Sequence, residues 1–156
     1  MSLDFKSQMF QAFAQIPSYS QWLLDADLTS TYLYERRVLK LLQWRCPEAP
    51  WRLKCPTHLI YLEHLNRAFP DARFVMTHRE PSAVMLSVID VYCDIASKFT
   101  DRIDTHYLAE LNLEHWSVGM QRALAFRAAA DNNARFYDID FRAMHNDPVA
   151  EVRGLY

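Results

Sequence analysis

Glycine is nearly missing from this chain: Gly119 and Gly154 are the two in 156 residues, where ordinary usage of ~7% would supply several times as many. A Walker-type or dinucleotide-binding loop needs closely spaced glycines so that backbone N–H groups can wrap a phosphate, and neither glycine here has a glycine neighbour. Such a loop is excluded within these residues. Cysteine is also sparse. Cys46, Cys55 and Cys93 are odd in number, widely spaced and free of any Cys-x-x-Cys pair, which argues against a disulfide framework or a zinc site and for reduced thiols. An excess of one charge is absent too: the net charge is −2, so there is no basic footprint of the kind nucleic acid requires. No uncharged apolar run approaches the ~20 residues that span a bilayer, and Met1-Ser2-Leu3-Asp4 opens no signal pattern. A cytoplasmic chain with no nucleic-acid partner, no membrane segment and no metal is expected.

What is present suffices for one core, since 51% of the residues are hydrophobic. The reading is a single partial domain over 1–156, with a helical, aromatic segment over 1–50 and an α/β segment over 51–156. Phe5, Met9, Phe10 and Phe13 share a helical face, and a short helix follows around Tyr19 to Leu24. Thr29 or Ser30 is placed to cap a longer helix whose Leu33, Val38, Leu41 and Leu42 suit a buried stripe, ending before Pro47 and Pro50. Trp51 to Leu53 reads as a short strand, and Thr57 as the cap of a helix carrying Leu59, Leu62, Leu65 and Phe69. Phe74-Val75-Met76 reads as a buried strand. Pro81 suits the first turn of a helix running to about Ser97, because its missing N–H would be unpaired there anyway. Helix is expected again over Leu111 to Ala130, a third strand over Arg135 to Ile139, and a last helix opened by Asp147-Pro148. Strands alternating with helices give an α/β class with a parallel sheet flanked by helices. Three short strands without a partner edge, and a helix cut short at Tyr156, lead to the expectation that the domain is incomplete at both ends.

The chemistry gathers at two strand-to-helix junctions. Trp51-Arg52-Leu53-Lys54-Cys55-Pro56-Thr57-His58 and Arg73-Phe74-Val75-Met76-Thr77-His78-Arg79-Glu80-Pro81 each deliver cations where a strand hands over to a helix. In open parallel sheets ligands sit beyond the carboxyl ends of strands, and unpaired helix N–H groups favour anions there. Lys54, His58, Arg79 and Ser87 can therefore surround one phosphorylated ligand. His58 near a helix start would be held neutral by the dipole, as a proton acceptor must be. His78 is expected to face away from Arg79, since neighbours on a strand alternate faces. Phe5, Phe10, Phe13, Tyr19, Trp22, Tyr32 and Tyr34 suit either an acceptor pocket or, more in keeping with their helical spacing, core. His106 with Glu110, and His115 beside Glu114, lack a third ligand at helpful spacing.

These runs, together with Tyr19-Ser20-Gln21-Trp22, Phe69-Pro70-Asp71-Ala72, Phe136-Tyr137-Asp138 and Asp147-Pro148, resemble the sulfotransferase family in order and spacing. The resemblance is to its bacterial-type branch, with a Lys-x-Pro-x-His segment and a Phe-Pro-Asp-Ala-Arg strand leading to His-Arg-Asp-Pro; Glu80 stands in place of that Asp. It implies a P-loop-like α/β fold and transfer of a sulfuryl group from 3′-phosphoadenosine 5′-phosphosulfate to a hydroxyl of a small-molecule, glycan or lipid acceptor. It further implies that Arg79 and Ser87 hold the 3′-phosphate, with Lys54 and His58 as the catalytic pair and His58 in the place of the base. The glycine-containing loop for the 5′-phosphosulfate has no counterpart, so the isolated chain is expected to be inactive. The competing expectation is a noncatalytic interaction module with a vestigial phosphate site.

Overall fold

The computed structural model describes residues 6–129 and 131–155. Phe5, Ala130 and Tyr156, which entered the expectations above, lie outside them. In chain order the elements are α1 (Phe10–Phe13), α2 (Pro17–Asp25), α3 (Thr29–Leu42), a 3-10 turn (Pro56–Ile60), α4 (Leu62–Ala68), β1 (Phe74–His78), α5 (Pro81–Ala96), α6 (Thr105–Ala128), a second 3-10 turn (Asn132–Arg135), β2 (Phe136–Asp140), α7 (Phe141–Asn146) and α8 (Pro148–Leu155). The strands pair in parallel with Phe74 opposite Phe136 and His78 opposite Asp140. The architecture is α/β, with α1 to α3 in the first fifty residues.

Three packed clusters hold these elements. Leu23, Leu24, Leu28, Tyr32, Ile60, Tyr61, Leu65 and Ala68 join α2, α3, the first 3-10 turn and α4. Ala12, Tyr92 and Leu108 tie α1 to α5 and α6. Leu62, Ala123 and Phe126 pack on Phe74 and Phe136, which open the two strands. Those two rings stack with centroids 4.9 Å apart, and Phe126 meets both edge-on. Arg135 covers Phe74 at 5.1 Å and donates to the carbonyl of Ala72 and to Asn66. The strand start is thereby sealed, which leaves the opposite, carboxyl end to carry chemistry.

Gly119, in the middle of α6, answers a close approach. A Cβ there would lie 2.9 Å from Cγ1 of Ile60, so glycine lets the buried Ile60 side chain sit against the helix where any larger residue would force it to shift. Arg45, not glycine, takes the left-handed backbone after α3, at φ 62°.

Four local expectations are corrected. Trp51 to Leu53 is exposed and joins no ladder; β1 pairs with β2, and 51–53 takes up neither outer edge of that two-stranded sheet. Neither Thr29 nor Ser30 caps α3. Leu28 stands at the cap, and Asp27, two residues before Thr29, accepts from the Thr29 N–H with its Oδ1 at 2.7 Å. Thr57 caps no α-helix, because Pro56–Ile60 winds as a 3-10 turn and the α-helix starts at Leu62; its hydroxyl instead donates to Gln8 Oε1 at 2.8 Å. Lastly, α3 buries Tyr32, Glu35 and Leu39 rather than Leu33, Leu41 and Leu42, which stay exposed. The buried set continues from Leu28 at spacings of three and four, so it faces α2 and α4 as one stripe.

Candidate functional site

The carboxyl end of the sheet is built residue by residue. After His78, Arg79 leaves β1 and Glu80 turns the chain into α5, its carboxylate accepting from the Ser82 hydroxyl at 3.1 Å and capping the helix. Asp140 does the same after β2, accepting from the N–H groups of Arg142 and Ala143 at 2.8 and 2.9 Å. Because His78 and Asp140 are opposite in the register, the next residues, Arg79 and Phe141, emerge side by side. The Arg79 guanidinium lies 4.9 Å over the Phe141 ring. It makes no ion pair among the described residues, since Glu80 is engaged at the helix start. A guanidinium held by a ring face, with its five N–H donors unclaimed by any acid, is arranged to receive an anion. Ser87 is exposed on α5, ~9 Å along the axis from Pro81 at 1.5 Å per residue.

His78 is held elsewhere, as strand alternation requires. Its Nε2 lies 2.6 Å from Asp138, which also accepts two bonds from Arg127, at 2.8 and 2.7 Å. The Arg127 and His78 hydrogen bonds hold the Asp138 carboxyl well below the usual carboxylate range. This array clamps β1, β2 and α6 directly beneath the Arg79 junction. Sequence reasoning missed it, because the partners are separated by up to 60 residues.

Lys54 and His58 form a second group. Lys54 is exposed and unpaired among the described residues. His58 is half-buried in the 3-10 turn, with its Nδ1 2.9 Å from the hydroxyl of Tyr32 and the two rings 5.6 Å apart. Burial lowers its pKa from 6.5 to about 4. Burial also pushes the Tyr32 phenol far above its ordinary value, so both rings are neutral near pH 7. Among the described residues no hydrogen bond reaches Nε2, and the residue as a whole is only partly buried. No hydrogen bond or ion pair among the described residues joins Lys54 or His58 to Arg79 or Ser87. What the two groups share is a scaffold, since the elements carrying them pack on α6 through Gly119, Leu62 and Phe126.

Of the aromatic residues, Tyr32 is core. Phe10, Tyr19, Trp22, Leu33 and Arg37 border an open groove of about 640 Å³, on the side of α3 turned away from Tyr32 at 100° per residue. His106 and Glu110 make a surface pair at 3.2 Å. His115 is buried against Gln11 and the Leu111 carbonyl.

A parallel α/β sheet with a cation, unpaired by acids among the described residues, where the first strand turns into a helix is a geometry suited to an anion, and comparison with known proteins gives the class. The family described as the sulfotransferase family matches residues 1–156, and the chain belongs to that family. Among solved structures it is similar to sulfotransferase STF1 from Mycobacterium tuberculosis, with a TM-score of 0.88 and 33% identity over 97% of this chain and 41% of that one. It is also similar to sulfotransferase STF9 from Mycobacterium avium, with a TM-score of 0.92 and 31% identity over 98% of this chain and 39% of that one. The chain thus spans about two fifths of the length of these sulfotransferases. The search of curated proteins gives no match.

Proposed function

We propose that this chain forms part of an enzyme that transfers a sulfuryl group from 3′-phosphoadenosine 5′-phosphosulfate to an acceptor hydroxyl on a small molecule, glycan or lipid. The observation that carries this reading is Arg79, set at the joint carboxyl end of both strands, braced on Phe141 and unpaired by any acid among the described residues. The residues present fit a phosphorylated nucleoside: Arg79 offers a planar fork, Ser87 a neutral hydroxyl, and Lys54 a free ammonium. When bound, the nucleotide supplies the sulfuryl group and a phosphate leaving group. Arg79 and Ser87 would hold its 3′-phosphate; Lys54 and His58 would face the reacting end, where charge builds as the bond to the phosphate weakens. The chain alone is read as inactive, because the glycine-containing loop that would grip the phosphosulfate is not among its residues.

The test is an NMR titration of the 156-residue chain with adenosine 3′,5′-bisphosphate and with adenosine 5′-monophosphate. The bisphosphate should bind the more tightly, with resonances of Arg79 and Ser87 shifting. Arg79→Ala should cost about tenfold in Kd, or ~1.4 kcal/mol. Equal affinity for the two nucleotides, or an unaltered Kd in Arg79→Ala, would refute the assignment. A second reading, a noncatalytic partner-binding module, draws on Leu41, Leu42 and Trp44, exposed at 73%, 60% and 71% around the end of α3. Cofactor-independent association through those residues would favour it.

A further inference from the structure

The geometry points to His58 as a neutral hydrogen-bond donor fixed in its Nε2–H tautomer by Tyr32, not as the base that takes the acceptor's proton. The Tyr32 hydroxyl is buried, and a buried O–H is rarely left without an acceptor. Among the described residues its one hydrogen-bond partner is Nδ1 of His58, at 2.9 Å. If Nδ1 carried the proton, the phenol could only accept from it, and its own hydrogen would be left without an acceptor: Glu35, Cys55 and Tyr61 lie near enough to act on the phenol electrostatically, but among the described residues none of them hydrogen-bonds to it. The lower-energy arrangement has the phenol donate to Nδ1. The single proton of a neutral imidazole then resides on Nε2, the nitrogen with no hydrogen-bond partner among the described residues.

Protonation does not offer an escape from this. With burial holding the imidazole down to about 4, the ring is neutral at working pH, and a group that binds protons so weakly is a poor acceptor for a hydroxyl proton. A neutral N–H is instead suited to meet an anionic oxygen without adding a charge that must be desolvated, much as a preorganised dipole does. Lys54, four residues earlier, supplies the charge. Tyr32 is a positioning residue: it touches His58, and through it sets which atom faces the ligand. Its place is also mechanically secure, since it belongs to the buried stripe of α3 and is locked by the same cluster that seats Ile60.

The role toward a ligand rests on the proposed sulfuryl-transfer site, but the tautomer does not, and the experiment separates them. The 15N-labelled 156-residue chain is studied by long-range 1H–15N correlation near neutral pH, which distinguishes a protonated ring nitrogen from a bare one. The expected spectrum for His58 has a protonated Nε2 and an unprotonated, hydrogen-bonded Nδ1. In Tyr32→Phe, with circular dichroism unchanged, the single tautomer should give way to a mixture or reverse. A protonated Nδ1 in the wild-type chain would overturn the inference whatever the variant does, and so would an unchanged spectrum in a folded Tyr32→Phe. Addition of adenosine 3′,5′-bisphosphate together with inorganic sulfate should then shift the Nε2 proton. No shift there, while Arg79 resonances respond, would overturn the donor role of His58 alone; silence at Arg79 would instead count against the proposed function.

Discussion

Acidification should destabilise this protein through His58, and the size of the effect follows from its burial. The imidazole is pushed from 6.5 down to about 4 by desolvation alone. Its folded pKa lies below its unfolded one, so the unfolded chain takes up the proton first. The stability tied to the neutral ring is therefore fully present above about pH 6.5 and is lost as the pH falls toward 4. At ~1.4 kcal/mol for each tenfold change in proton affinity, this interval is worth up to ~3 kcal/mol. Glu35 acts in the opposite sense. Burial raises its pKa, so its protonation favours the folded state on acidification and offsets part of the loss. His64, whose pKa desolvation also lowers, adds to the loss. Since Glu35 and His64 are common to wild type and variant, the informative quantity is a difference. Urea unfolding followed by circular dichroism, at pH steps from about 7.5 to about 4, should show the wild type losing ~3 kcal/mol more than His58→Asn across the window. Parallel stability curves for the two proteins would refute the reasoning, because they would mean that the His58 ring titrates alike in the folded and unfolded states.

Two further perturbations probe the scaffold. Gly119→Val places branched carbon against Ile60, where even a Cβ would lie 2.9 Å from Cγ1; the overpacking should cost ~1–3 kcal/mol, more than the few tenths gained in helix propensity. A melting temperature equal to or above that of the wild type would show that the close approach is not needed. Asp138→Asn removes the carboxylate shared by Arg127 and His78. With Asp138 42% exposed, solvent screening holds the expected loss to ~1 kcal/mol, and a double-mutant cycle with Arg127→Met should return most of it as coupling. A coupling energy near zero would mean that the array does not clamp the strands.

Much of this protein is decided locally and is legible in the residues. Phe74 to Met76 reads as a strand and lies in β1, though Val75 is exposed and not buried as expected; the strand read over Arg135 to Ile139 starts one residue later, at Phe136, because Arg135 closes the second 3-10 turn; Pro81 starts α5 where its missing N–H costs nothing, and Asp147-Pro148 opens α8. The motif order around Lys54, Arg79 and Asp138 points to the sulfotransferase family, and comparison bears that out. Each of these features depends on neighbours a few residues away. What tertiary structure alone decides depends on pairs distant in the chain. Trp51 to Leu53 has strand-like residues but pairs with neither edge of the sheet, since hydrogen bonding in a sheet is supplied by the partner strand and not by propensity. The face that α3 buries is chosen by α2, α4 and the 3-10 turn, so Tyr32 and Leu39 go inside and Leu33, Leu41 and Leu42 stay out. Arg79 gains Phe141 only through the register of a parallel pair. His58 shows a residue type and a place in the sequence, but which of its nitrogens meets Tyr32, and which has no partner among the described residues, is set by packing between residues 26 apart.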